Sequence, residues 1–212
     1  MCIIKNYNSI ANSVQSLSKK STLIVVTKNQ GLDKINLLIK MKHLDFGENR
    51  VQEASLKWKD LISNNLQIKL HLIGKLQSNK AKEAFEIFHY IHTLDNEKLA
   101  KIFAKLEQNS KKKINYFIQV NIGNEPQKSG ISIDKVLQFV KYCINDLKLN
   151  IVGLMCIPPV DVDPNRYFKN LSELAKLNNL KELSMGMSND YESAINNGAT
   201  FVRVGSKIFS EN

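Results

Sequence analysis

The sequence predicts an α/β protein built as a single (β/α)8 TIM barrel over residues 1–212. Three observations predict it. Eight apolar runs of strand length follow one another along the chain, and segments with helical spacing lie between them. No Pro/Gly-rich linker or break in composition divides the chain. A barrel of this class typically takes ~250 residues and can be as small as about 200, so this chain is nearly all barrel. An open doubly wound sheet is the alternative, but no G-x-G-x-x-G follows the first strand to support one.

The strand candidates are Leu23–Val26, His43–Phe46, Ile68–Ile73, His89–Leu94, Ile114–Asn121, Leu149–Met155, Glu182–Met185 and Thr200–Val204. Their near-continuous apolar character suits parallel strands covered on both faces. Between them, Ile35, Leu38 and Ile39 mark a helix, as do Val51 and Leu56. So do Leu99, Ile102, Phe103 and Leu106, then Val136, Phe139 and Val140, then Tyr167, Leu171, Leu174 and Ala175. Asp134 before Val136, and Ser188 or Asn189 before Tyr191, read as helix caps.

Composition narrows the function. The net charge of +10 comes from 30 basic residues, of which only Arg50, Arg166 and Arg203 are arginine. The one tight cluster, Lys111–Lys113, falls in a helix-to-strand loop. Readers of base edges use arginine and aromatic platforms, and neither is grouped here, so specific nucleic-acid recognition is not expected. No apolar stretch approaches the roughly 20 residues of a membrane span, and the N-terminus has no signal-peptide core. Cys2, Cys143 and Cys156 are odd in number and widely spaced, which suits a reducing cytoplasm better than a disulfide framework or a zinc site. His89 and His92, three apart on a strand, point to opposite faces and cannot chelate together; His43 and His71 read as core or rim residues. No metal site is expected.

A barrel places its chemistry at the C-terminal ends of its strands, with phosphate bound by the loops after strands seven and eight. Lys28 ends strand one. Strand seven runs into Ser184-Met185-Gly186-Met187-Ser188, and strand eight into Arg203-Val204-Gly205-Ser206. Both loops offer glycine, hydroxyls and backbone N–H groups suited to a phosphate dianion. A lysine amine facing such loops matches an aldehyde that carries a phosphate.

Five blocks then occur in order: "FGENRVQE" (46–53), "HLIGKLQSNKAK" (71–82), "FIQVNIGNEPQKSGI" (117–131), "IVGLMCIPP" (151–159) and "LSMGMSNDYESAINNGATFVRVGSKIFS" (183–210). Together they resemble the pyridoxal phosphate homeostasis protein family, small barrel proteins related to the N-terminal domain of alanine racemase (fold type III of pyridoxal phosphate proteins). The resemblance covers nearly the whole chain. It implies that Lys28 holds pyridoxal 5′-phosphate as a lysine aldimine. It implies that Ser188, Gly205 and Ser206 bind the phosphate with Ser184 and Met185 close by, that Arg203 faces the pyridine nitrogen, and that Asn49 lines the pocket. Departures from the family pattern at Arg50, at Gly31 and at the Leu70–Lys75 block affect loop shape, not Lys28, Arg203 or the phosphate loops.

The resemblance further implies a protein of intracellular vitamin B6 homeostasis that stores or delivers the cofactor, with apo forms of pyridoxal-phosphate enzymes as recipients; a monomer is expected. A barrel-mouth lysine can have its pKa lowered by desolvation, so that some amine is free to form an imine. An arginine at the pyridine nitrogen cannot accept its proton, which leaves the ring a poor electron sink. Racemisation needs two opposed bases, and the sequence, ending at Asn212 soon after strand eight, supplies no tyrosine comparably placed to the second base of the racemases. Little turnover is therefore expected. A racemase-like enzyme or a Schiff-base barrel lyase is the alternative.

Overall fold

The computed structural model describes residues 2–210. Its sheet is a closed parallel barrel in the order β1 to β8, with β8 pairing back to β1. The strands are β1 Thr22–Val26, β2 Asp45–Glu48, β3 Lys69–Leu72, β4 Tyr90–Leu94, β5 Asn115–Gln119, β6 Asn150–Met155, β7 Glu182–Ser184 and β8 Phe201–Val204. The helices α2 Leu32–Lys40, α3 Val51–Asn64, α4 Ala81–Ile87, α5 Glu97–Gln108, α6 Val136–Lys141, α7 Asn165–Leu177 and α8 Tyr191–Asn196 alternate with them. The barrel expected from the sequence is the fold observed.

Six of the expected strands are observed with ends trimmed, β1 starts one residue earlier at Thr22, and β2 is displaced toward the C-terminus. Gly47 and Glu48 lie beyond the expected strand end at Phe46, yet they complete β2, because one oxygen of the Glu48 carboxylate finds partners inside the protein. Its Oε1 accepts from Thr27 Oγ1 (2.7 Å) and Trp58 Nε1 (2.9 Å) and pairs with Lys57 Nζ (2.6 Å). A buried carboxylate with three donors can end a strand that an unpartnered one could not.

Two helix starts also differ from expectation. A 3-10 turn, Ile133–Lys135, precedes α6, so Asp134 lies inside that turn and Ser132 is its cap residue. Asp190, not Ser188 or Asn189, is the cap residue of α8, and its Oδ1 accepts from Met187 N at 2.6 Å, tightening the loop. By contrast, Asn96 caps α5 through its side chain, accepting from Leu99 N at 2.9 Å.

An N-terminal helix, α1 Cys2–Leu17, was not foreseen. Its Ile10 and Val14 are buried in the core, with Ile3, Tyr7 and Ala11 packed against it. Beyond β8 the described residues form only α9, Ser206–Phe209, which is too short to cover the sheet. α1 packs on α8, α9 and β1 and so completes the outer ring. Asn6 Nδ2 donates to Ile208 O (3.3 Å) and Ser210 O (3.2 Å), tying the two ends of the chain together.

The hydrophobic core is the shell between sheet and helices, where Trp58, Phe46, Phe88, Phe103, Tyr116 and Phe168 are all fully buried. The barrel interior is a second, partly polar, layer. At its β1–β3 side, Ile24, Val26 and Ile73 close over Gly47. The interior also holds His71, His92, Phe117, Phe201, Ser184 and Arg203, joined by ring contacts and hydrogen bonds.

Candidate functional site

The C-terminal ends of β1, β2, β7 and β8 bring the expected site residues to one mouth of the barrel. Lys28 follows β1 in a turn and is exposed. The turn is held from behind. Asn29, at φ 59°, donates its N–H to Glu53 Oε1 (2.6 Å), while Lys57 Nζ donates to Thr27 O (2.7 Å) and pairs with Glu53 (2.9 Å). α3 thus fixes the backbone from which Lys28 projects. Gly31, where the family pattern has proline, keeps φ −75° as cap residue of α2, an angle that proline shares, so the departure leaves the turn's shape intact.

The loops after β7 and β8 meet through their hydroxyls, with Ser206 Oγ donating to Ser188 Oγ at 2.8 Å. Ser188 is buried and Ser206 is exposed at the start of α9. Gly205 lies against β1, since a Cβ there would sit 3.0 Å from Val26 O and 3.1 Å from Val26 Cβ. This close approach puts the Ser206 loop next to the strand that leads to Lys28. Asn49 is half-buried just past β2, and Gly74 comes so near that a Cβ would fall 2.2 Å from Asn49 O. The glycine of the "HLIGK" block is therefore required by the Asn49 backbone.

Arg203 is the buried charge of the site. Its Nη1 donates to Ser184 Oγ (2.7 Å) and its Nη2 to Cys156 O (3.0 Å), both neutral acceptors. Burial lowers its pKa, against weaker opposing pulls from Cys156 and Asp190. Among the described residues no carboxylate forms an ion pair with it. A guanidinium carries five N–H donors, and one kept in a dry site by two neutral partners is suited to a further acceptor.

Two expected site residues are placed differently from the rest. Ser184, the last residue of β7, points into the barrel, where its hydroxyl is engaged by Arg203 and by His92 Nδ1 (2.7 Å). The Met185 side chain is fully buried in the core behind the sheet, so only its backbone neighbours the mouth. Both shape the site from beneath.

The sequence reading missed an interior chain below Arg203. From Ser184 and His92 it continues through His71 Nδ1 (3.0 Å from His92 Nε2) to Asp45 Oδ1 (3.1 Å from His71 Nε2). Both histidines are buried with lowered pKa values. Burial is the main cause, opposed at His71 by Asp45 and reinforced at His92 by His71 and Arg203. The signal was parity. His71 and His92 are each third in their strands, on the inward side, as Arg203 is in β8. His89, just before β4, instead accepts from Leu70 N (3.0 Å), so His89 and His92 share no partner. No group of three or more metal-ligating side chains is found among the described residues.

A cavity of about 550 Å³ lies elsewhere, lined by Glu97, Ile131, Phe139 and Tyr142 on the outside of the barrel. None of the candidate site residues lines it.

Residues 2–212 match the family model described as alanine racemase, N-terminal domain. A Pasteurella multocida protein named pyridoxal phosphate homeostasis protein is 34% identical over 214 residues, which cover 95% of this chain and 92% of that one. PipY of Synechococcus elongatus, solved with PLP bound, is 31% identical and superposes with a TM-score of 0.87, over 98% of this chain and 100% of that one. An alanine racemase of Clostridium difficile superposes with a TM-score of 0.78 at 12% identity, this chain spanning 57% of it; that likeness concerns the fold alone.

Proposed function

This chain belongs to the alanine racemase N-terminal domain family, and from that premise we propose that it binds pyridoxal 5′-phosphate at the barrel mouth and serves intracellular homeostasis of that cofactor as a carrier. The observation that carries the reading is Arg203, a buried cation whose partners in the protein, Ser184 and Cys156, are neutral. A guanidinium always donates, so it suits an unprotonated ring nitrogen and disfavours a pyridinium. The Ser188–Ser206 hydroxyl pair suits a phosphate, and Lys28 supplies an exposed primary amine at the same end of the barrel. Met185 contributes shape through its backbone, and Asn49 lines the second edge.

Bound pyridoxal 5′-phosphate brings an aldehyde that condenses with a primary amine. Lys28 supplies that amine, Ser188 and Ser206 orient the phosphate, and Arg203 keeps a proton off the ring nitrogen. With the ring nitrogen unprotonated, electron withdrawal from a bound amino acid is weak, so turnover is slow. The relatives' name, a homeostasis protein, accords with carriage. The site lies in a chain with no described helix long and apolar enough to cross a membrane. Recipients are apo forms of pyridoxal-phosphate enzymes, which accept the cofactor in the cytoplasm from a monomeric carrier.

The test is chemical. Load the protein with pyridoxal 5′-phosphate, reduce with borohydride, digest, and map the pyridoxyl group; it is expected on Lys28. A label on Lys75 or Lys207 instead overturns the assignment. The carrier reading is tested with L- and D-alanine in deuterated water, where inversion at the α-carbon is expected only at trace level. Rapid inversion that disappears in Lys28→Ala makes the protein an enzyme.

A further inference from the structure

Five side chains in the barrel interior form one continuous hydrogen-bonded chain: Arg203, Ser184, His92, His71 and Asp45. It runs from the mouth to the opposite end of the barrel, because Ser184 is the last residue of β7 while Asp45 is the first of β2. Aromatic rings close around it. Tyr90 stacks on His71 with centroids 4.4 Å apart, Phe117 stacks on His92 at 4.3 Å, and Phe201 lies 5.8 Å from His71 and 6.1 Å from His92. Ser184, His71 and His92 have no exposed surface, while the Asp45 side chain is 26% exposed.

The order of the bonds sets their direction. Arg203 can only donate, so Ser184 Oγ accepts from it. The Ser184 hydroxyl proton, buried away from water, has His92 Nδ1 as its acceptor at 2.7 Å. His92 must then carry its proton on Nε2 and donate to His71 Nδ1, and His71 in turn carries its proton on Nε2 and donates to the Asp45 carboxylate. Every link is satisfied with both imidazoles neutral. A reversed chain strands the Ser184 hydroxyl proton, as does a proton added at His92 Nδ1, and a proton added at His71 Nδ1 sets two N–H groups facing each other.

We propose that Asp45, His71 and His92 are positioning residues for Arg203: their one-way chain holds Ser184 as an acceptor and so fixes the guanidinium in the barrel. The significance of a fixed Arg203 for a cofactor ring rests on the function proposed above, but the chain does not. Besides each other, the charged and titratable groups acting on the two histidines are Asp45, Lys69 and Arg203, with Tyr90 stacked on His71. Asp45 alone among them is an acceptor at hydrogen-bond distance from an imidazole N–H.

The test uses the full chain without cofactor. Long-range 1H–15N correlation spectra near neutral pH should show both His71 and His92 with the proton on Nε2. The Arg203 guanidinium signals should be resolved, reporting slow rotation about its Nε–Cζ bond. Ser184→Ala should speed that rotation about ten- to hundredfold, the loss of one hydrogen bond to a charged group. Asp45→Leu should move rotation in the same direction and mix the His71 tautomers, and Asp45→Asn, which keeps an acceptor oxygen, should restore both. A proton on Nδ1 of either histidine in the unmodified protein overturns the proposal, and this measurement decides even if a variant fails to fold. Wild-type rotation and tautomers in a folded Asp45→Leu protein overturn it as well. If the tautomers are as expected and pyridoxal 5′-phosphate does not bind, only the cofactor reading falls; if it binds and the tautomers differ, only the chain does.

Discussion

Single residues at the mouth do two jobs at once, and Gly205 shows it. Its backbone lies where a phosphate loop is expected, but the space a side chain would take is filled by Val26 of β1, 3.0 Å from its O and 3.1 Å from its Cβ. Gly205→Val must therefore push β1 and the Lys28 turn, at a cost of about 1–3 kcal/mol of overpacking. Ser188→Ala removes one hydroxyl that accepts from Ser206, a loss of about 1 kcal/mol with no displacement of β1. Urea midpoints should rank Gly205→Val below Ser188→Ala; equal midpoints contradict the packing role. The placement of Lys28, Arg203 and the two serines toward or just past the C-terminal ends of their strands was legible, because the apolar runs mark where those strands lie. The interior chain was not, because a histidine on a strand reads as ordinary core until inward parity is set beside its neighbours.

At the scale of elements, the apolar runs announced all eight strands, since a strand buried on both faces is predominantly apolar. β2 was misplaced for an electrostatic reason: Glu48 belongs to the strand only because Thr27, Trp58 and Lys57 meet its carboxylate. These partners come from β1's end and from α3, so no local pattern announces them. α1 is not announced by an apolar run, although Ile3, Tyr7, Ile10 and Val14 recur at helical spacing, because polar residues fill most of the positions between them. The Glu48–Lys57 pair makes a sharp prediction. Lys57→Met leaves a carboxylate buried without its cation, which costs about 3–5 kcal/mol, and the loss should fall hardest on the Lys28 turn that Lys57 braces. Adding Glu48→Gln to Lys57→Met should recover a large part of the stability. Thermal unfolding of the two variants checks it, and a double variant no more stable than the single one refutes the account.

For the molecule as a whole, the histidines couple stability to pH. His43, His71, His89 and His92 all have pKa values lowered from 6.5, with burial the main cause in each, and His89 falls to about 4. Folding keeps these imidazoles neutral. Below pH 6.5 the unfolded chain takes up protons that the native state refuses, so the unfolded state binds more protons and stability rises with pH there. The contribution is complete above the unfolded value and is lost as pH falls from 6.5 toward the folded values. Fully buried His71 and His92 should each contribute a slope approaching about 1.4 kcal/mol per pH unit. Between pH 6.5 and about 5, where most carboxylates are still ionised, the histidines dominate that slope. Urea unfolding across the window should show a steadily falling midpoint, and His92→Phe should flatten the fall. A midpoint unchanged from pH 7 to 5 would mean that the unfolded and native states bind protons alike and that the buried pair is not held neutral.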